Sequence, residues 1–387
     1  MPLADGPPAP SLLPEEIWSI SVMSASRKTL FAVTAVAAVA IAIVALLPGG
    51  GASGASASRL NSWLSGDWKD WATAKWKGGS DDFYNPTIPG LWSGKRMSSA
   101  SSPDAPISDS TADEGTSDPE PRPVAALAAA APYHVGAGTV GKVFFDSPDG
   151  PKVCSGTAVR DPARPGRSDL VWTAGHCAHA GAKGGWFRNV VFVPSYNDDD
   201  LPANALNTAP IDKVAPFGVW WADKAAVSPQ WMAQGSEVGG AGAPFDFAVL
   251  RVTPPTGDSS LEETLGDAVP VRFDVPAVNS LAQTSAWGYP AEAPFDGDKL
   301  YSCQDRPTRF SPVSDQPTMY RIGCTMTGGA SGGGWFALGP DGTPELISNT
   351  SVGPADNTWL AGPHLGAQAK LTLEAVSRAS GAASPSP

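Results

Sequence analysis

Three short stretches of this 387-residue chain carry side chains that could act together on one bond. TMTGGASGGGWF, at 325–336, sets Ser331 among five glycines. Backbone without Cβ atoms turns tightly and brings its N–H groups close to a ligand. That setting suits a nucleophilic serine beside an oxyanion hole of neighbouring amides. VWTAGHC, at 171–177, ends an apolar run on a turn carrying His176, and in PFDFAVLRV, at 244–252, Asp246 opens another. Taken singly, each has an ordinary reading: a flexible Gly/Ser loop, a structural histidine beside a cysteine, a turn aspartate. Together they run in the order His, Asp, Ser, one of the known orders of a Ser–His–Asp triad. In that arrangement Ser331 attacks, His176 takes its proton and passes it on, and Asp246 fixes the imidazole tautomer.

The segments that must position these groups read as short strands. From Val135 onward, apolar runs alternate with Gly, Pro, Asp and Asn. Strands are expected at 140–145, 152–159, 170–173, 190–193, 212–220, 247–252, 284–288, 320–324, 334–338 and 345–348. Many short, turn-bounded strands imply an all-β sandwich or barrel. Helical periodicity is confined mainly to 365–376, and the Ser/Ala/Pro-rich tail from 377 is expected to fray.

On TAGHC at 173–177, DFAVL at 246–250 and GGASGG at 328–333, the chain resembles the chymotrypsin-like (trypsin-fold) serine endopeptidases. The likeness is strongest to secreted bacterial members related to glutamyl endopeptidases, and it covers about 135–375. It implies two six-stranded antiparallel β-barrels with the triad in the cleft between them, a C-terminal helix, and a barrel boundary within 254–268. It implies hydrolysis of protein or peptide substrates through an acyl-enzyme, with no cofactor and no metal. The oxyanion hole would be the N–H groups of Gly329 and Ser331. Ser351, Val352 and Gly353 match a strand whose serine supports the aspartate and whose next residues pair with substrate. Four cysteines permit three pairings. Sequential pairing, Cys154 with Cys177 and Cys303 with Cys324, is simplest, and its first pair resembles the family's brace on the histidine loop.

Two departures from the family pattern stand out. Ala330 replaces the aspartate that, in trypsin and its close relatives, pairs with a freshly cut N-terminus, so activation by N-terminal insertion is not expected. Thr325 stands at the bottom of the specificity pocket, and Thr350 where glutamyl endopeptidases place a histidine. Neither supplies a charge, so a small or medium uncharged residue before the scissile bond is expected.

Net charge is −12 and the pI about 4.7, which argues against a nucleic-acid partner. Arg27 and Lys28 precede an apolar run at 30–47, from Leu30 to Leu47, followed by Ala55-Ser56-Ala57. This is the order of a secretory signal, and the run is nearly long enough to act instead as a membrane anchor. Translation is expected to start at Met23, because the 22 residues before it fit poorly ahead of a signal. Residues 1–57 thus form an N-terminal extension plus signal or anchor. Residues 58–132 form a pro-segment or disordered linker: scattered tryptophans first, then a Ser-, Asp-, Pro- and Ala-rich stretch. Residues 133–378 form the protease domain, and 379–387 a disordered tail. The protein is expected to be a secreted or extracytoplasmic monomer, where disulfides persist.

Other readings are weaker. GASGG also fits the G-x-S-x-G elbow of α/β-hydrolases, but that fold needs a helix after the serine, and 335–338 runs into a turn. Asp198, Asp199 and Asp200 read as solvated loop carboxylates more readily than as a calcium site. His134 and His179 lie outside the motifs. The alternative from another class is a catalytically silent protease fold kept as a binding module or adhesin.

Overall fold

A computed structural model describes residues 53–71, 76, 82–107, 117–236, 239–273 and 277–381. The apolar run at 30–47 and the proposed start at Met23 lie outside these residues. Among them, no helix is long and apolar enough to cross a membrane.

The first strand, β1 (Leu127–Ala128), precedes six that close a barrel. These are β2 (Val140–Ser147), β3 (Gly150–Val159), β4 (Leu170–Thr173), β5 (Arg188–Pro194), β6 (Trp220–Val227) and β7 (Ala248–Thr253). The antiparallel order around the barrel is β2-β3-β4-β7-β6-β5. β2 is buried along its whole length, because both of its faces meet apolar neighbours. Successive side chains point to opposite faces. Val143 and Phe145 therefore enter the barrel interior with Val171, Phe192, Trp220 and Leu250. Phe144 points the other way, into a second core with Trp172, Tyr289, Phe336 and Leu346. That second core joins the barrel to the C-terminal half.

The C-terminal half follows with β8 (Thr284–Gly288), β9 (Tyr301–Asp305), β10 (Thr308–Phe310), β11 (Met319–Gly323), β12 (Gly334–Leu338), β13 (Pro344–Asn349) and β14 (Trp359–Gly362). These pair as two sheets, β1-β9-β8-β12-β13 and β10-β11-β14. The Cys303–Cys324 disulfide ties β9 to the residue after β11, and Cys154–Cys177 ties β3 to the histidine turn. The closing helix, Ala367–Gly381, covers the barrel through Leu373 and Val376 and continues past the start of the expected frayed tail.

One expected strand, 212–220, is instead a helical turn at Ile211–Val214 followed by an irregular link. Pro216 and Gly218, with φ +88°, interrupt the run, and the strand starts only at Trp220. β9 and β10 carry too little apolar patterning to be visible in the sequence, and β14, WLAG, is an apolar run too short to stand out.

The residues before the barrel make specific contacts on it. Asn85 lies between β5 and β6, donating to Val190 O at 2.9 Å and Ala222 O at 2.8 Å, and accepting from Val190 N at 2.9 Å. Its amide thus acts as a side-chain rung where those strands diverge. Trp92 Nε1 donates to Asn189 O at 2.7 Å, and its ring lies in the barrel-joining core. Arg96 pairs with Asp146, and Met97 is buried. Ser101 then bridges to Lys152 of β3. Composition alone reads 96–131 as linker, yet the described residues there are tied down. On the other side, Leu127 pairs with Ser302 and Asp118 with Arg309.

Candidate active site

β4 ends at Thr173 and the chain turns at once through Gly175-His176-Cys177. Cys177 is pinned to β3 by its disulfide, so the histidine turn cannot drift from the barrel. Asp246 lies just before β7, which pairs with β4, and β-pairing thus carries the aspartate to the histidine. His176 Nδ1 lies 2.7 Å from Asp246 Oδ2, and His176 N donates to Asp246 Oδ1 at 2.8 Å. Ser351 Oγ donates to the same Asp246 Oδ2 at 2.6 Å. Asp246 and His176 are both buried, and Ser351 completes the carboxylate's surroundings.

Ser331 sits at the facing edge of the C-terminal half, 4% exposed, on a loop that requires glycine. Gly329 has φ +95° and Gly332 φ +79°. A Cβ on Gly332 would lie 2.1 Å from Thr173 Oγ1, so only hydrogen fits where this loop meets the histidine strand. Ser155, the residue after Cys154, braces the loop. Its N–H donates to Ser331 O at 2.7 Å and its hydroxyl to Gly329 O at 2.9 Å. The same hydroxyl accepts from Tyr289 N at 2.9 Å. Ala330 is fully buried against Gly288, a position where an ion pair has no room.

A carboxylate from the N-terminal segment occupies this site. Asp104 Oδ1 lies 2.9 Å from His176 Nε2, and Asp104 Oδ2 accepts from Gly329 N at 2.9 Å. The Ser331 hydroxyl also hydrogen-bonds to Asp104. Burial works against a charged imidazole. The charge of Asp246, hydrogen bonds to Asp104 and Asp246, and the charge of Asp104 outweigh it and push His176 well above its ordinary pKa. Burial likewise opposes ionisation of Asp104. The bond to His176, its charge, and the bonds from Gly329 and Ser331 win, so the Asp104 pKa is lowered.

Beneath Asp104, Ala105 and Pro106 lies a cavity of about 100 Å³, walled by Met326, Thr350, Val352 and Leu360 among others. Ser351, Val352 and Gly353 line it, whereas Thr325 does not. Thr325 N donates to Val124 O and Thr325 Oγ1 accepts from Ala126 N, so the segment leading into β1 holds it. Thr350 Oγ1 accepts from Trp335 Nε1 at 2.9 Å. Of the other residues considered, His134 pairs with Asp198, and Asp200 pairs with Lys299. His179 is buried and pushed down to about 4 by that burial, with Nδ1 accepting from Gly181 N. Cys154, His176 and Cys177 cluster closely enough to suggest a metal, but both sulfurs are spent in the disulfide.

Sequence reasoning missed Asp104, Ser155 and Glu292. Asp104 lies in SSPDAP, which composition cannot tell from linker. Ser155 offered one signal, its place beside a cysteine on the strand facing the serine loop. Nothing local marks Glu292, which borders the cavity and is raised by burial and by the charge of Asp104.

No family model and no curated protein sequence matches the chain. Among solved structures, it is 30% identical to the thermostable serine protease AL20 from an extremophilic microorganism, with a TM-score of 0.51. That match covers 62% of this chain and 98% of that one. Protease Anisep from Arthrobacter nicotinovorans is 27% identical, with a TM-score of 0.49, covering 62% of this chain and 96% of that one. A Glu endopeptidase in complex with MPD is 15% identical, with a TM-score of 0.47, covering 68% of this chain and all of that one.

Proposed function

Because this chain belongs to the serine proteases of chymotrypsin/trypsin fold, we propose that it is an extracytoplasmic endopeptidase working through Ser331, His176 and Asp246. The observation that carries this reading is the double hold of Asp246 on His176, at Nδ1 and at the main-chain N–H. A proton fixed on Nδ1 leaves Nε2 as the basic nitrogen, the state needed to take the proton of a serine. Ser331 would attack the substrate carbonyl, forming a C–O bond as its proton moves to Nε2. The negative oxygen would be received by the N–H groups of Gly329 and Ser331. Collapse expels the amine, which takes the proton from His176, and water then releases the acid by the same steps in reverse roles.

The Ser351–Gly353 segment and the uncharged walls at Met326, Thr350, Val352 and Leu360 support a substrate held in extended form with an uncharged side chain inserted. Residues 133–378 serve as the catalytic body in this reading. The two disulfides support an oxidising compartment, reached through the 30–47 segment as signal or anchor.

Fluorophosphonate labelling with peptide mapping tests the assignment. An adduct on Ser331 that disappears in Ser331→Ala is the expected result. If no form of the protein is labelled, whether intact or with Asp104 replaced, the catalytic reading fails and the silent binding module takes its place.

A further inference from the structure

We infer that the active site of the full chain is a carboxylate site whose resident ligand is its own Asp104, and that this contact holds the protease closed. The inference rests on Ser331 and His176 being the catalytic pair.

The Asp104 side chain fills both positions that a reacting substrate needs. Oδ2 takes the Gly329 N–H, where the negative oxygen of an intermediate would sit. Oδ1 takes His176 Nε2, the nitrogen that must accept the serine proton. His176 Nδ1 is already engaged by Asp246. Hydrogen bonds to carboxylates at both ring nitrogens require a proton on each, so the ring is an imidazolium. An imidazolium cannot act as a base. The latch therefore removes the general base as well as covering the nucleophile.

Asp104 is not itself a substrate. A carboxylate carbon carries no leaving amine, and its charge repels a nucleophile. The main chain is anchored on either side of Asp104. Upstream, Ser101 N donates to Pro151 O and Ser101 O accepts from Val153 N. Ser102 Oγ accepts from Asp104 N at 2.9 Å, bending the chain into the site. Downstream, Ile107 N donates to Gly353 O at 3.1 Å. The Ile107 side chain is buried with Val352, Phe310 and Trp359. Residues 101–107 thus run from β3 to Gly353, the segment that a substrate would need.

The charged groups around the contact are accounted for. Asp246 faces His176 from the β7 side. Glu292 faces Asp104 from the loop after β8 and opposes it, while Ser102 hydrogen-bonds to Glu292. The contact stands because the imidazolium and two further donors outweigh that repulsion.

The test uses the intact chain as wild type, Asp104→Ala, Asp104→Asn and Ser331→Ala. Two quantities are read: the rate of fluorophosphonate labelling at Ser331, and the titration of His176 by 15N-histidine NMR. Both Asp104 variants should label at least tenfold faster than wild type, and His176 should titrate at lower pH in both. Asp104→Asn keeps the side-chain shape, so a folding defect in the alanine variant does not obscure the result. Equal labelling rates in wild type and both variants overturn the inference. So does a His176 titration that does not move. A shifted titration with no labelling in any variant supports the contact and instead removes the protease assignment.

Discussion

The hydroxyl of Ser155 donates to the carbonyl of Gly329 across 2.9 Å, and both its N–H and its side chain hold the loop that carries Ser331. In trypsin-like chains with an aspartate before the serine, an ion pair supports this loop. Here Ala330 is sealed against Gly288 and Ser155 supplies the support. Removing the hydroxyl leaves Gly329 O and Tyr289 N without that partner. A buried polar group left unpaired costs about 1–3 kcal/mol. Ser155→Ala should therefore lower stability by about that amount and lower kcat about tenfold, while KM changes little. On the proposed mechanism the loss falls on kcat, because the Gly329 N–H would be used most fully in the transition state. Steady-state kinetics in the Asp104→Ala background decide. A change confined to KM would show that Ser155 does not set the oxyanion hole.

Ser351 presents the same logic on the other side of the histidine. Its hydroxyl donates to Asp246 at 2.6 Å, in a site sealed from water. Hydrogen bonds to charged groups contribute about 1.5–3 kcal/mol. Ser351→Ala should destabilise the chain by about that much in urea unfolding. Turnover should fall far less than in Asp246→Asn, for which a loss near 10⁴-fold is expected. If Ser351→Ala equalled Asp246→Asn in damage, the serine would be part of the proton machinery rather than a support for it.

The candidate residues His176, Asp246 and Ser331 were legible because each sits in a short local motif, and pairing of β4 with β7 brings the first two together. Most barrel strands were legible because their runs are apolar, whereas β6, with Asp223 and Lys224 in its middle, was placed too early. β9, reading YSCQD, was not, since its place in the sheet is set by pairing with β8 over the whole strand rather than by its own pattern. Thr325 was read as pocket lining by its offset from Ser331, but offset does not encode direction. The incoming segment at 124–126 holds it elsewhere. Asp104 is the clearest limit. Its role depends on Ser101 and Ile107 docking on distant strands, and nothing in SSPDAP signals that.

The cavity beside Ser331 predicts substrate choice. Its walls at Met326, Thr350, Val352 and Leu360 carry no charge, and the Thr350 hydroxyl is committed to Trp335. A charged side chain passing these walls would lose hydration, a cost of several kcal/mol. Glu292, a carboxylate that borders the cavity with Asp104, has its own pKa raised by burial and by the charge of Asp104. Cleavage after small and medium uncharged residues should exceed cleavage after Arg, Lys or Glu at least a hundredfold. A peptide-library profile of the Asp104→Ala protein is the measurement. Dominant cleavage after Arg or Glu would mean that another surface forms the pocket.

The pair formed by Asp104 and His176 should leave a pH signature in stability. The His176 pKa is raised in the folded chain, so its contribution is complete below the ordinary histidine value of about 6.5 and is lost as pH rises through the raised value. The Asp104 pKa is lowered, so its contribution is complete above the ordinary aspartate value of about 3.9 and is lost as pH falls through the lowered value. The difference in Tm between wild type and Asp104→Asn should therefore be largest between about pH 4 and 6.5, and shrink on either side. Placing both chains in a Ser331→Ala background prevents self-cleavage during melting. A further Glu292→Gln change removes the neighbouring carboxylate that competes with Asp104 once ionised. A Tm difference that stays flat from pH 3 to 9 would mean that the two groups do not share a proton-linked contact in solution.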